Sequence, residues 1–390
     1  MSDPRIRVLC AIGEMSGGGS ERQMLGILKR LDRERFAPHL YLISPGGELL
    51  PEVPDDVPVS IFWQRYERPR FNWPGRIHQA QVADLARVIR EHAIDVIYDR
   101  TYHMTMITAR AAERTRVPRA SVIVSNPRVD FETNRERFRW LKLPMLRRAY
   151  RTADQVVAVS EGTARLAAEF FHLPPERIQT IYNFVDAERL QAASEVPSDW
   201  ERERFHIVAA GRLHEAKGYP LLLRAVRDAV HKNGLRQILL HILGVGPQEG
   251  ELKRLMDEYG LASHVRLEGF QPNPFSYLRA SNLFVLSSIY EGLPNVLIEA
   301  MMVGTPVVST DCPSGPREIL RDGKFGQLTP PKDAGALTGA IVDAVENEAS
   351  WRLRATQARE YAERTFGPEA GIERVEKLLL ELTKLGPVRE

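Results

Sequence analysis

Two carboxylates and the start of a helix lie close together in the second half of the sequence. Residues 283–286 are apolar and predict a buried strand, so Glu291 stands on the loop that follows it. A helix is predicted to begin by Asn295, which places Glu299 on the same helix face four residues later. The first amides of this helix, near Asn295 and Val296, have no partners within the helix and carry its positive dipole end. This pattern predicts a place to hold phosphate, with one carboxylate before it and one behind it.

Two cations occupy a similar position earlier in the same half. Arg212 and Lys217 follow a predicted strand at 205–210, and Lys217 opens a predicted helix at 217–232. An arginine and a lysine five residues apart can converge on one diphosphate. A pair of surface charges is the alternative, but the carboxylates in the same half favour a binding site.

Further strand-end loops in this half carry small or aromatic residues. Gly244 and Phe270 each follow a predicted strand, and Ser314 precedes a short helix. A tight turn explains Gly244 equally well. In sheets covered by helices, ligands bind outside the carboxyl ends of the strands, which is where these loops are expected.

The first half offers two further candidates. Gly18 and Gly19 belong to a glycine-rich loop between the first strand and a helix, where the backbone can approach a ligand closely. A flexible turn is the alternative, because the loop lacks the Gly-x-Gly-x-x-Gly spacing of a dinucleotide site. His103 lies where a strand gives way to a helix, although a lone histidine is more often structural than functional.

Strands and helices alternate almost throughout, which predicts an α/β protein with parallel sheets covered by helices. A polar stretch at 185–204 interrupts the pattern and is the predicted linker between two domains. Predicted strands lie at 6–12, 40–43, 93–98, 120–124, 155–159, 178–181, 205–210, 238–243, 265–267 and 283–286. A chain of 390 residues is also long enough for two cores.

Composition narrows the class of protein. The formal net charge is +2, no apolar run is long enough to span a membrane, and no signal peptide is evident. Two cysteines make a disulfide framework unexpected and favour a reducing cytosol. No nucleic-acid motif and no Asp-x-Asp sequence occurs, so we expect neither a nucleic-acid partner nor a metal or other cofactor.

The strongest local charge lies between Arg135 and Arg151. Seven basic residues and one acid, Glu136, are interleaved there with aromatic residues. A basic amphipathic segment favours an anionic membrane surface, although a solvated helix face gives the same pattern. The expected location is the cytoplasm, with peripheral contact at the inner face of the cytoplasmic membrane.

These motifs together resemble the retaining glycosyltransferases of family 4, also described as glycosyl transferases group 1. The resemblance covers nearly the whole chain and is most specific between 205 and 330. It is carried by the sequences EGLPNVLIEA at 291–300, GTPVV at 304–308, SGPREI at 314–319, Gly211-Arg212 with Lys217-Gly218, GVGP at 244–247 and GGGSERQ at 17–23.

The resemblance implies the GT-B fold, in which two Rossmann-like domains with parallel sheets face each other across a cleft. It implies an acceptor-side domain at 1–187 and a nucleotide-sugar-binding domain at 188–366. A C-terminal helix at 367–390 is expected to cross back onto the first domain.

The resemblance also implies roles for the candidate residues. Catalytic roles fall to Glu291, which contacts donor sugar hydroxyls, and to Arg212 and Lys217, which hold the diphosphate. His103 is a further catalytic candidate, with Thr101 as the alternative in that alignment. Donor contacts are implied for Gly18, Gly19, Arg212, Lys217, Gly244, Phe270, Asn295, Val296, Glu299 and Ser314, with Glu299 on the ribose.

The implied function is metal-independent, retaining transfer of a hexose or N-acetylhexosamine from a nucleotide sugar to an acceptor in glycan biosynthesis. UDP is the expected nucleotide, and the acceptor is a saccharide or lipid-linked. Two alternatives share the phosphate contacts. One is a nucleotide-sugar epimerase of the same fold, and the other is a non-catalytic nucleotide-sugar-binding subunit.

Overall fold

The computed structural model describes residues 4–68, 73, 75–133, 139–185, 200–201, 203–271 and 273–385. Within them the chain divides into two compact units. Unit 1 comprises Met1–Phe184 and Pro368–Glu390, and unit 2 comprises Val185–Gly367. Most of the predicted linker, at 186–199 and 202, lies outside the described residues.

Unit 1 is built on a seven-stranded sheet in the order β3-β2-β1-β4-β5-β6-β7, with neighbouring strands parallel. Its strands are β1 Ile6–Ile12, β2 Phe36–Leu42, β3 Val59–Ile61, β4 Val96–Arg100, β5 Arg119–Ile123, β6 Gln155–Ala158 and β7 Ile178–Thr180. Its helices are α1 Gly19–Arg30, α2 Phe62–Arg65, α3 Arg76–Glu91, α4 Tyr102–Thr115, α5 Pro127–Thr133, α6 Arg139–Arg151 and α7 Glu161–Phe171, followed after unit 2 by the chain's last helix.

Unit 2 is built on a six-stranded parallel sheet in the order β10-β9-β8-β11-β12-β13. Its strands are β8 Phe205–Ala210, β9 Ile238–Leu243, β10 Val265–Gly269, β11 Leu283–Leu286, β12 Val307–Thr310 and β13 Gln327–Thr329. Its helices are α8 Tyr219–His231, α9 Glu249–Glu258, α10 Phe275–Ala280, α11 Asn295–Met302, α12 Pro316–Ile319, α13 Ala334–Glu346 and α14 Glu348–Phe366. The last helix of the chain is α15 Pro368–Thr383.

Apolar strands explain both sheets. Every residue of β8, β9 and β11 is buried, because a parallel strand has helices on both of its faces. Helix α8 has its apolar residues on one face and packs with α13 against this sheet.

Helix α15 returns to unit 1, as the sequence predicts. It packs against α1, β4 and β5. The Glu376 carboxylate on α15 accepts a hydrogen bond from the Asp32 amide at 2.9 Å and pairs with Arg35 at 3.4 Å. The end of the chain therefore completes the first unit rather than the second.

A buried carboxylate ties together the elements around β4. Asp99 is fully buried and accepts hydrogen bonds from Thr105 at 2.6 Å, Thr108 at 2.7 Å and Ser121 at 2.7 Å. The Arg119 guanidinium lies 3.7 Å away and supplies the opposite charge. Because these groups come from β4, α4 and β5, this one carboxylate fixes where α4 begins.

We predict that Asp99→Ala destabilises unit 1 by about 3 kcal/mol or more, because it leaves the Arg119 charge buried without its partner. The measurement is urea unfolding followed by circular dichroism. Asp55→Ala is the matched control, because Asp55 is exposed and its loss is expected to cost less than about 0.5 kcal/mol. Equal unfolding midpoints for the two variants would contradict the structural role of Asp99.

Candidate functional site

The strand order of unit 2 defines where a ligand can bind. Strands β8 and β11 are neighbours, and the connections that follow them lead to opposite sides of the sheet order. Such a switch point opens a crevice at the carboxyl ends of the two strands. The loops after β8 and β11 carry the cations and the first carboxylate that the sequence singles out.

At this point Lys217 and Glu291 form an ion pair. The Lys217 Nζ atom lies 2.6 Å from Glu291 Oε1, and the two side chains are 20% and 12% exposed. The Ser288 hydroxyl donates a second hydrogen bond to the same oxygen at 2.6 Å. The structure therefore joins directly two residues that the sequence assigns to different parts of a donor.

The loop after β8 holds Lys217 through its backbone. Lys217 ends a single 3-10 turn, Glu215–Lys217. His214 Nδ1 caps this turn by accepting a hydrogen bond from the Ala216 amide. Gly218 then takes a left-handed conformation with φ of 62°, and a side chain there would clash with the Ser287 carbonyl. Lys217 is therefore not the first residue of the helix, which corrects the predicted helix at 217–232. Helix α8 begins at Tyr219 because Gly218 turns the chain first.

The charge of Glu291 affects two buried neighbours. Burial, and then the negative charge of Glu291, raise the pKa of the Cys312 thiol to about 12. The same two causes raise the pKa of the Tyr219 phenol, whose hydroxyl donates to the Gly211 carbonyl at 3.1 Å. Both groups therefore stay neutral at physiological pH.

Helix α11 begins beside Glu291, as the sequence predicts. Pro294 precedes it, and a proline side chain has no polar atom with which to cap the first turn. Asn295, Val296 and Glu299 are partly exposed, whereas Leu297 is buried in the core. The start of α11 therefore has the amides and the accessibility that an anion site requires.

The remaining predicted donor residues of unit 2 lie at the same edge of the sheet. Arg212 is exposed, and the described part of the chain gives its guanidinium no ion pair. Gly244 follows β9, and Phe270 follows β10 with 47% of its surface exposed. A hydrogen bond from the Leu213 amide to the Val245 carbonyl at 3.0 Å joins the loops after β8 and β9.

Ser314, a predicted donor contact, lies on the loop after β12. Its side chain is buried, and its hydroxyl donates to the backbone carbonyl of Glu291. This hydroxyl therefore fixes the loop that carries Glu291. The contact joins the loops after β11 and β12.

Unit 1 holds the other candidates at its own switch point, between β1 and β4. Gly18 precedes α1 and Gly19 is its first residue. The Glu21 carboxylate folds back over Gly18, and burial raises the pKa of Glu21. His103 is exposed on the first turn of α4, after Thr101 with its positive φ of 79°.

Some polar residues of the site were not found from the sequence. Ser287 and Ser288 contact the Lys217–Glu291 pair or its backbone, and His214 Nδ1 accepts from the Ala216 amide beside it. Hydroxyls and imidazoles in loops have no distinctive spacing in sequence. The one signal was position, because Ser287 and Ser288 directly follow a predicted strand in the loop of a predicted carboxylate.

The structure also bears on metal binding, on membrane-spanning helices and on the basic segment at 135–151. In the described residues, no group of three or more His, Cys, Asp or Glu side chains is arranged to hold a metal ion. No helix of the described part is long and apolar enough to cross a bilayer. Of the basic segment, residues 134–138 lie outside the described residues, and the rest forms α6, on which Trp140 is 76% exposed.

Most of the chain is similar to known glycosyltransferases. The family model described as Glycosyltransferase Family 4 matches residues 17–189, and the model described as Glycosyl transferases group 1 matches residues 193–365. A Campylobacter jejuni N-acetylgalactosamine-N,N'-diacetylbacillosaminyl-diphospho-undecaprenol 4-alpha-N-acetylgalactosaminyltransferase is 32% identical over 200 residues, which cover 51% of this chain and 53% of that one. The Rhizobium meliloti lipopolysaccharide core biosynthesis glycosyltransferase LpsE is 27% identical over 303 residues, which cover 76% of this chain and 85% of that one.

The chain spans only about half the length of the first curated relatives it matches, at 49% and 53%. A solved structure agrees over nearly the full length. Anabaena HepE in complex with UDP and glucose superimposes with a TM-score of 0.81 at 22% identity, covering 96% of this chain and all of that one. This likeness shows the fold, which is GT-B. Because the two family models match adjoining stretches that make up most of the sequence, the protein belongs to the family 4 glycosyltransferases.

Proposed function

We propose that the protein is a retaining, metal-independent glycosyltransferase. It transfers a hexose or N-acetylhexosamine from a nucleotide sugar, expected to be a UDP-sugar, to a saccharide or lipid-linked acceptor. The observation that carries the proposal is the Lys217–Glu291 pair at the switch point of unit 2, beside the start of α11. In this proposal Lys217 holds the diphosphate and the neighbouring Glu291 carboxylate holds the sugar.

The relatives support the donor, the acceptor and the biosynthetic setting of this assignment. HepE was solved with UDP and glucose, which supports a UDP-linked hexose. The name of the Campylobacter enzyme describes transfer onto a diphospho-undecaprenol saccharide, which supports a lipid-linked acceptor. LpsE is named for lipopolysaccharide core biosynthesis, which supports a role in glycan assembly.

The chemistry assigns the cations to the leaving group. Breaking the bond between the anomeric carbon and the phosphate oxygen leaves positive charge on the sugar and negative charge on the diphosphate. Arg212, Lys217 and the first amides of α11 stabilise that negative charge as it develops. The acceptor hydroxyl attacks from the face that the diphosphate leaves, and a departing phosphate oxygen takes its proton.

The other residues recognise the donor. Glu291 accepts hydrogen bonds from sugar hydroxyls, and Glu299 accepts them from the ribose. Gly244, Phe270 and Ser314 complete the donor surface of unit 2, with Ser314 acting through the Glu291 loop. From unit 1, we assign Gly18 and Gly19 to the donor phosphate and His103 to the reacting sugar.

We further propose that unit 1 contacts an anionic membrane through the segment from Arg135 to Arg151. The exposed indole of Trp140 on α6 suits the interface between headgroups and acyl chains. Each basic residue near such a surface contributes about 1 kcal/mol, and salt screens the attraction. The acceptor would then be a lipid-linked saccharide at the inner face of the membrane.

We predict that the purified protein transfers sugar from a labelled UDP-sugar to an acceptor in the presence of EDTA. The assay follows the label from the nucleotide sugar into acceptor or into an isomerised nucleotide sugar. Isomerisation without transfer would identify an epimerase, and binding without either would identify a non-catalytic subunit. Complete loss of transfer on chelation, restored by magnesium or manganese, would contradict metal independence.

The two carboxylates are predicted to separate nucleotide binding from sugar recognition. Glu299→Ala should weaken the binding of both UDP and the UDP-sugar by about tenfold, because hydrogen bonds to charged groups contribute roughly 1.5–3 kcal/mol. Glu291→Ala should leave UDP binding nearly intact while lowering turnover and sugar selectivity. Calorimetric titration with UDP and with the UDP-sugar measures both effects.

Glu258→Ala is the matched control for these titrations. Glu258 is exposed on α9 of the same unit, and its one ion pair among the described residues is with Arg254 at 2.8 Å. It should bind both ligands like the wild type. The assignment is reversed if Glu291→Ala loses UDP while Glu299→Ala retains it.

A further inference from the structure

Two consecutive serines at the end of β11 are not explained by the roles assigned above. Ser287 is 2% exposed and Ser288 is fully buried, so neither hydroxyl is placed to bind a donor directly. A buried hydroxyl needs a partner within the protein. Both find one in the ion pair at the switch point.

The serines hold the two ends of the pair. The Ser287 hydroxyl donates to the Lys217 carbonyl at 2.7 Å, and the Ser288 hydroxyl donates to Glu291 Oε1 at 2.6 Å. Lys217 Nζ donates to that same oxygen at 2.6 Å. The contacts close a ring, because one serine fixes the backbone of the lysine and the next fixes the carboxylate.

The serines are themselves fixed by the sheet. Thr310 at the end of β12 donates its hydroxyl to the Ser288 carbonyl. The amide of Ile289, the residue after Ser288, donates to the Ala216 carbonyl at 2.7 Å. The ring is thus anchored to β12 on one side and to the loop after β8 on the other.

The ring gives the two carboxylate oxygens of Glu291 different surroundings. Oε1 accepts from both Lys217 and Ser288, whereas no described residue donates to Oε2. One oxygen is therefore fixed, and the other keeps its lone pairs for a ligand. A carboxylate held in this way presents a single acceptor in a defined direction.

From this geometry we propose that Ser288 is a positioning residue that orients Glu291 Oε2 toward one hydroxyl of the donor sugar, and that Ser287 positions Lys217. The proposal rests on the proposed function of this site. Ser288 acts when the donor arrives, because the diphosphate then competes for the lysine charge. Its neutral hydrogen bond keeps Oε1 in place while Lys217 turns toward phosphate.

The test compares Ser288→Ala with Ser287→Ala, using UDP, the preferred UDP-sugar and its C4 epimer. Ser288→Ala should bind UDP like the wild type but lose about tenfold or more in kcat/KM for the preferred sugar, since one hydrogen bond to a charged group is removed. Its discrimination against the epimer should fall by a similar factor. Ser287→Ala should instead weaken the binding of UDP itself by about threefold to fivefold, as expected when a neutral hydrogen bond is lost.

A double-mutant cycle separates positioning from general damage to the fold. In a Glu291→Ala background, Ser288→Ala should have no further effect, because the carboxylate it orients is gone. Ser288→Thr keeps the hydroxyl and should restore discrimination if the chain folds with the wild-type melting temperature. Ser350→Ala, an exposed serine on α14, is the neutral control.

The outcomes distinguish this inference from the proposed function. If the wild type turns over a UDP-sugar but Ser288→Ala lowers activity equally in the Glu291→Ala background, the positioning role is wrong and the function stands. Unchanged epimer discrimination in a well-folded Ser288→Ala protein overturns the role in the same way. If the wild type neither binds nor turns over any UDP-sugar, the proposed function fails and the inference fails with it.

Discussion

The hydrogen-bonded ion pair between Lys217 Nζ and Glu291 Oε1 joins the loops that follow β8 and β11. The strand order of the unit 2 sheet reverses between these two strands. The residues of the pair come from loops 74 positions apart in the sequence. They meet only because parallel strands end at one edge of a sheet. The buried strands, the left-handed Gly218 and the hydroxyls of Ser287, Ser288 and Ser314 all serve to place these two side chains.

Stability does not explain such an arrangement. An ion pair that is partly open to water adds little to the free energy of folding. The hydrogen bonds around it come instead from buried groups, and they fix one carboxylate oxygen, whereas no described residue donates to the other. A pre-oriented acceptor beside a cation is useful when a sugar and a diphosphate must be held at once, because no reorganisation is then needed as charge develops.

Much of the fold could be predicted from the sequence, because fully buried parallel strands are read as continuous apolar runs. The edge strands β3 and β13 were missed, since three residues carry too little periodicity. Strand β2 begins at Phe36 rather than at the predicted position 40. The prediction started late because a proline, here Pro38, argues against a strand. Its missing amide is tolerated there because β3 pairs only with Leu40–Leu42.

The site was predictable to a similar depth. Glu291, Asn295 and the start of α11 follow from strand, breaker and helix signals that are local in sequence. The contacts of Ser288 and Ser314 were not predictable, because they depend on which loops become neighbours in three dimensions. Lys217 was correctly placed after β8 but wrongly put in a helix, because a glycine can turn the chain where a helix pattern continues.

The most direct test of the central claim is a crystal structure of the protein with UDP bound. The diphosphate is predicted to lie within hydrogen-bonding distance of Lys217 and of the first amides of α11, with Arg212 alongside. Glu291 Oε1 should still accept from Ser288, with Oε2 directed to the space beyond the terminal phosphate. UDP bound with its phosphates away from Lys217 and α11, for example on the Gly18 loop alone, would contradict the account.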